Sequence, residues 1–147
     1  MRAGTAVLLA WCSGVVAGCA GSSRTDEDYR HKAANTVEAA ASAVSTARLA
    51  TEAAGRGNAT SSYLSILLGE AEKDLAGAEQ AFTSRQPPST SSDTIRQDVG
   101  EALSAAGDAL ADARIAARRG QTSGLGDHTA ALTEAKERLE RLEEQLS

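Results

Sequence analysis

The sequence predicts an all-α fold, an antiparallel four-helix bundle made of two similar helical hairpins. Three observations carry that expectation. Apolar residues recur three and four apart in four segments from Asp26 onward, and no segment shows the alternation of a half-buried strand. Breaks rich in glycine, proline and serine separate the segments at 55–58, 86–92 and 120–126. The two halves of the region also match each other at a nearly constant offset.

The first segment runs from about Asp26 to Ala54, with a seam of Ala33, Val37, Ala40, Val44, Ala47, Thr51 and Ala54. Gly55-Arg56-Gly57-Asn58 stops it, with glycine available for a left-handed cap. The second runs from about Ser61 to Ser84 and carries Leu64, Leu67, Leu68, Ala71, Leu75, Ala78 and Phe82 on one face. Residues 86–92, which include Pro87 and Pro88, read as a loop. Ser92 or Asp93 is the expected N-cap of the third segment. Its stripe is Ile95, Val99, Ala102, Leu103, Ala106, Leu110, Ala113 and Ala117, and Arg118 and Arg119 complement the helix dipole before Gly120. Asp127 is the expected cap of the fourth segment. Leu132, Ala135, Leu139, Leu142 and Leu146 give it the cleanest heptad of the chain. Glu134 with Arg138, and Glu137 with Arg141, stand four apart in the favourable order.

Thr46-Ala47-Arg48-Leu49-Ala50 resembles Asp112-Ala113-Arg114-Ile115-Ala116 at an offset of 66. Leu68-Gly69-Glu70-Ala71 resembles Leu132-Thr133-Glu134-Ala135 at an offset of 64, and Leu75, Ala78 and Phe82 continue in phase with Leu139, Leu142 and Leu146. A duplicated hairpin accounts for both matches: one copy over 26–85, a loop over 86–92, and a second copy over 93–147. Neither hairpin buries its seam alone, so the two dock face to face.

A chain of 147 residues with a net charge of −5 fits one domain plus a leader, and its acidity excludes a nucleic-acid partner, which needs a basic patch. About a fifth of the residues are alanine and only 3% are aromatic, so the core is expected to be built from small side chains. Few residues carry chemistry. His31 and His128 have no metal-ligating neighbour at the required spacing, the Glu-x-x-His pairs of a di-iron bundle are absent, and no nucleophile stands at a strand-to-helix elbow. No cofactor, no metal and no catalysis are expected. Arg48, Arg56, Arg114, Arg118 and Arg119 form a candidate basic cluster, because the first and third segments hold equivalent places in the repeat.

The N-terminal stretch is organised differently. Arg2 precedes an uncharged apolar run over 3–15 with Val7, Leu8, Leu9 and Trp11 at its centre, and small residues follow. The run is too short and too rich in glycine and serine to span a bilayer, which takes about 20 apolar residues. Val16-Ala17-Gly18-Cys19 then gives a branched aliphatic residue, two small residues and a cysteine. Charge, apolar run and tetrapeptide together resemble a bacterial lipoprotein signal with its lipobox. The resemblance implies that residues 1–18 are a signal peptide cut after Gly18, that Cys12 leaves with it, and that Cys19 carries a diacylglyceryl group on its sulfur. Residues 19–25 would then be the lipidated cysteine and a polar tether of about 20 Å at full extension. The helical domain, 26–147, would work on the extracytoplasmic face of the cell membrane.

The body, in composition and in segments such as Tyr63-Leu64-Ser65-Ile66-Leu67-Leu68-Gly69-Glu70-Ala71-Glu72 and Arg114-Ile115-Ala116-Ala117-Arg118-Arg119-Gly120, resembles small alanine-rich lipoproteins of actinobacteria. That resemblance implies an envelope location and no mechanism. The expected role is binding an envelope protein partner or self-association. The alternative is an apolar-ligand carrier whose cavity between the hairpins is lined by Leu64, Leu67, Leu68, Ile95, Val99 and Leu103.

Overall fold

A computed structural model describes residues 25–121 and 124–147. Within them the chain forms four helices and no strand: α1 Asp26–Gly55, α2 Ser61–Thr83, α3 Thr90–Arg118 and α4 Leu125–Leu146. Short connections force successive helices to run antiparallel. The result is an all-α four-helix bundle whose longest helix, α1, measures about 45 Å at 1.5 Å per residue.

Local chemistry sets the helix ends. Thr25 caps α1 by accepting the Asp28 N–H at 3.1 Å, and Asp26, Glu27 and Asp28 place negative charge at the positive end of the dipole. Thr60 caps α2 through the Tyr63 N–H at 3.3 Å. The α3 cap is Ser89, which receives the Ser92 N–H at 3.4 Å, so the helix begins before the Ser92 or Asp93 expected from sequence and the loop is correspondingly shorter. The fourth helix starts at Leu125 with no side-chain cap, and Asp127 lies inside its first turn. Buried Leu125 anchors this turn to the core, which holds it in helix without a capping side chain.

α1 and α3 stop in the same way. Gly57 (φ 77°) and Gly120 (φ 67°) adopt the left-handed conformation. The Asn58 N–H reaches back to the Ala53 carbonyl at 2.8 Å, and the Gln121 N–H reaches back to that of Ala116 at 3.1 Å. Gly57→Ala should therefore cost about 1 kcal/mol through the positive φ alone. Gly77→Ala, in mid-helix with open space around the added methyl, should gain about the same amount. Urea unfolding followed by circular dichroism measures both, and equal signs for the two would contradict this assignment.

Adjacent helices pack around the square, α1 on α2, α2 on α3, α3 on α4 and α4 on α1, while α1 also meets α3 across the middle. α2 and α4 scarcely touch. Side-chain size explains the shortened diagonal. α1 contributes Ala33, Ala40 and Ala47, and α3 contributes Ala106 and Ala113, all with no exposed surface. The longer helices also bury Tyr29, Val37, Val44, Val99, Leu103 and Leu110, while the shorter helices supply Leu64, Leu68 and Leu75 from α2 and Leu132, Leu139 and Leu146 from α4. At the end where α1 begins, Tyr29 and Phe82 pack with ring centres 5.3 Å apart.

The internal match survives in three dimensions. Ala47 and Ala113 are fully buried, whereas their neighbours Leu49 and Ile115 are exposed by 53% and 40%. Leu68, Ala71, Leu75 and Phe82 are buried, as are Leu132, Ala135, Leu139 and Leu146. The two hairpins therefore present equivalent positions to a shared core.

Candidate functional site

Cys19 and Gly18, the lipidation and cleavage positions expected from sequence, lie outside the described residues. The chain that carries them joins the bundle at Thr25, on the end where α1 and α3 both begin. That end is pinned by a serine cluster. Ser89 donates to Asp26 Oδ1 at 2.5 Å, Ser92 donates to the same oxygen at 2.7 Å, and Ser91 reaches Oδ2 at 3.4 Å. Bonds from Ser89 and then Ser92 hold the Asp26 carboxyl below the ordinary carboxylate range.

The sign of the linkage follows from that depression. The cluster contributes stability above the unfolded carboxylate value of about 4, and the contribution is lost as pH falls through the lower folded value. Asp26→Asn should consequently melt below wild type at pH 6. The gap should close as pH drops below about 4, read by thermal scans across pH. A gap that stays constant would contradict this role for the carboxylate.

The six candidate ligand-lining residues do not meet. Leu64, Leu68, Val99 and Leu103 are fully packed into the core, while Leu67 and Ile95 lie partly buried against it. Contacts between α2 and α3 set their levels: Gly69 lies against Arg114, Leu75 against Gly107, and Arg96 donates to the Thr83 carbonyl at 3.4 Å. Leu64 thus stands near the level of Arg118, whereas Ile95 sits at the other end of α3. At 1.5 Å per residue the two levels are about 35 Å apart. One small-ligand cavity cannot be lined by all six.

Of the expected basic cluster, Arg114 and Arg118 share one wall of a groove between α2 and α3. Arg114 reaches across to α2, its Nε 2.6 Å from Glu72 Oε2, while Arg48 and Arg56 both address Glu52 on α1. Arg138 bonds Glu101 of α3 at 3.4 Å rather than Glu134, whereas Arg141 keeps its partner Glu137 at 3.8 Å. His31 stands 3.9 Å from Glu27 in solvent, and no group of three metal-ligating side chains exists among the described residues. No described helix is long and apolar enough to cross a membrane.

Among the surface hollows of the described residues, two lie between α2 and its neighbours and bear on binding. One, of about 600 Å³ between α2 and α3, has Gly69 and Ala76 as small residues and a charged wall of Glu72, Lys73, Arg114 and Arg118. Glu72 Oε1 is buried there without a hydrogen-bond partner. The other, of about 360 Å³ between α1 and α2, is lined by Ala39, Ser42, Ala43, Thr46, Leu67 and Ala71, with Glu70 and Asp74 at its edge. Leu49, Tyr63 and Ile66 stand one helical turn beyond the lining residues Thr46, Leu67 and Glu70, toward the 56–60 turn, and are exposed by 53%, 56% and 63%. Sequence reasoning passed over these three because they fall outside the core seams. The available signal was two large apolar residues three apart on the outer side of the second segment. Comparison with protein-family models, curated proteins and solved structures returns no match.

Proposed function

We propose that the chain is a lipid-anchored, non-catalytic envelope protein whose helical domain acts by binding a protein partner. Val16-Ala17-Gly18-Cys19, at the end of an uncharged apolar run behind Arg2, carries the reading. Cys19 is the acylated residue and Gly18 the last residue of the leader. The anchor needs more than one acyl chain to be firm, since each buried methylene contributes only about 0.8 kcal/mol and a single chain holds weakly.

The geometry of the helical domain is compatible with this arrangement. Thr25 enters at one end of a rod about 45 Å long, so the 56–60 connection and the C-terminal end of α3 would stand away from the membrane. The acidic domain would be repelled by an anionic lipid surface, which also favours a rod that stands off it. The domain's packed alanine seam argues for a role played on its surface.

The test is the mass of the protein extracted from membranes of producing cells. The expected species begins at Cys19 and carries a diacylglyceryl modification on its N-terminal peptide. A chain recovered only in the soluble fraction, starting elsewhere and unmodified, would overturn the proposal.

A further inference from the structure

We propose that the α1–α2 groove, extended by Leu49, Tyr63 and Ile66, docks an amphipathic helix with an apolar face and basic flanks. The inference rests on the reading that this domain works by binding a protein partner, and it names the surface and the chemistry of that partner.

The fold itself does not require these apolar residues. At the offset of 64 that relates the two hairpins, Tyr63, Ile66 and Leu67 correspond to Asp127, Ala130 and Ala131, all exposed on α4. The second hairpin builds an equivalent helix with an acid and two alanines there. Tyr63 and Ile66, two large apolar side chains held largely in water on one hairpin alone, are therefore a feature of that surface and not of bundle packing.

Shape and charge select the occupant. Ala39, Ala43 and Ala71 give the groove a low floor on which a helix can lie closely, while the larger side chains flank and extend it. Glu70 and Asp74 stand at the edge of this stretch and no basic residue lines it, whereas Lys32 and Arg85 line the adjoining hollow nearer the start of α1. Glu70 is engaged by Lys73 at 2.8 Å, but both side chains are exposed and such pairs hold weakly. A partner with lysine or arginine beside its apolar face meets this edge with complementary charge.

A second copy of the chain fits less well. Side chains of this size expose roughly 300–400 Å² together at these fractions. Two such patches apposed would bury under about 1,000 Å², short of the roughly 1,200 Å² at which specific stable interfaces begin. The net charge of −5 on each copy opposes the approach as well.

The test uses the full chain carrying Cys19→Ala, so that binding is read free of lipid and independently of the anchor. The probe is a fluorescein-labelled synthetic helix of 18 residues with leucine and alanine on one face and lysine on its flanks, followed by anisotropy. Ile66→Glu should weaken binding by about tenfold even though the added charge attracts the lysines. Ala130→Glu, the same charge change at the corresponding place on α4, should leave binding within about twofold. A probe with glutamate in place of lysine should bind at least about tenfold more weakly.

Thermal unfolding would show that both exposed-site variants keep the fold. Loss of the probe from both variants alike, tighter binding by Ile66→Glu, or absence of binding by the unsubstituted surface would overturn the proposal. So would sedimentation as a dimer that Ile66→Glu dissociates, because a second copy would then cover the face. None of these outcomes bears on acylation of Cys19, which the mass of the membrane-extracted protein tests separately.

Discussion

Phe82→Ala is expected to reduce the unfolding free energy by about 3–5 kcal/mol, a large part of the ~5–15 kcal/mol that holds an ordinary domain together. Phe82 is 1% exposed and belongs to a core short of large side chains. It packs on Tyr29 at the end of the bundle where α1 and α3 begin, so its removal leaves a void beneath two helix starts and strips the ring contact from Tyr29. Burial already pushes the Tyr29 hydroxyl above its ordinary pKa, and that oxygen has no hydrogen-bond partner. The packing of the rings, not polar bonding, therefore holds Tyr29 in place. Urea unfolding at neutral pH measures the loss. A change below about 1 kcal/mol would mean that the site is far looser than its burial implies.

Ala106→Leu should destabilise by about 2–3 kcal/mol, although leucine is nearly as good a helix former as alanine. Ala106 has no exposed surface and belongs to the alanine stripe of the helix that meets α1 across the short diagonal. Three additional heavy atoms there must push the backbones apart or force neighbouring side chains off their rotamers. The control is Ala76→Leu on the exposed side of α2, which should stay within about 0.5 kcal/mol of wild type. Equal effects at the two positions would show that α1 and α3 are not closely packed, and the account of the diagonal would fail.

Much of this architecture was legible in the residues because helical burial is periodic. The seams through Ala33 to Ala54, Leu64 to Phe82, Ile95 to Ala117 and Leu132 to Leu146 are the buried faces, with Leu67, Ala78, Ile95 and Leu142 only partly buried. The stop at Gly57 and the start at Asp26 were also readable, since a positive φ and an acidic first turn are local matters. Long-range choices were not. Ser92 is a good cap by type, yet its hydroxyl is bonded to Asp26 on another helix, and Ser89 takes the capping role. Arg138 has a suitable carboxylate four residues before it and bonds Glu101 instead, because α3 brings that group alongside.

The candidate site shows the same boundary more sharply. A face can be read from spacing, but the level of a residue along the bundle depends on how antiparallel helices are staggered. Leu64 and Ile95 share a core without sharing a neighbourhood for that reason. Leu49 and Ile115 were matched by the internal repeat, and both proved exposed, so the repeat carried surface information that the seams did not. Cys19 stands outside the described residues, and its role rests on the order of residues in the leader.

Incorporation of labelled fatty acid tests the central claim most directly. Cells expressing the full chain and its Cys19→Ala variant are fed radiolabelled palmitate, and the protein is recovered by immunoprecipitation. The anchor at Cys19 predicts label in the wild type, none in the variant, and release of the variant from the membrane fraction. Equal absence of label in both, with the two chains distributed identically between membrane and soluble fractions, would contradict it.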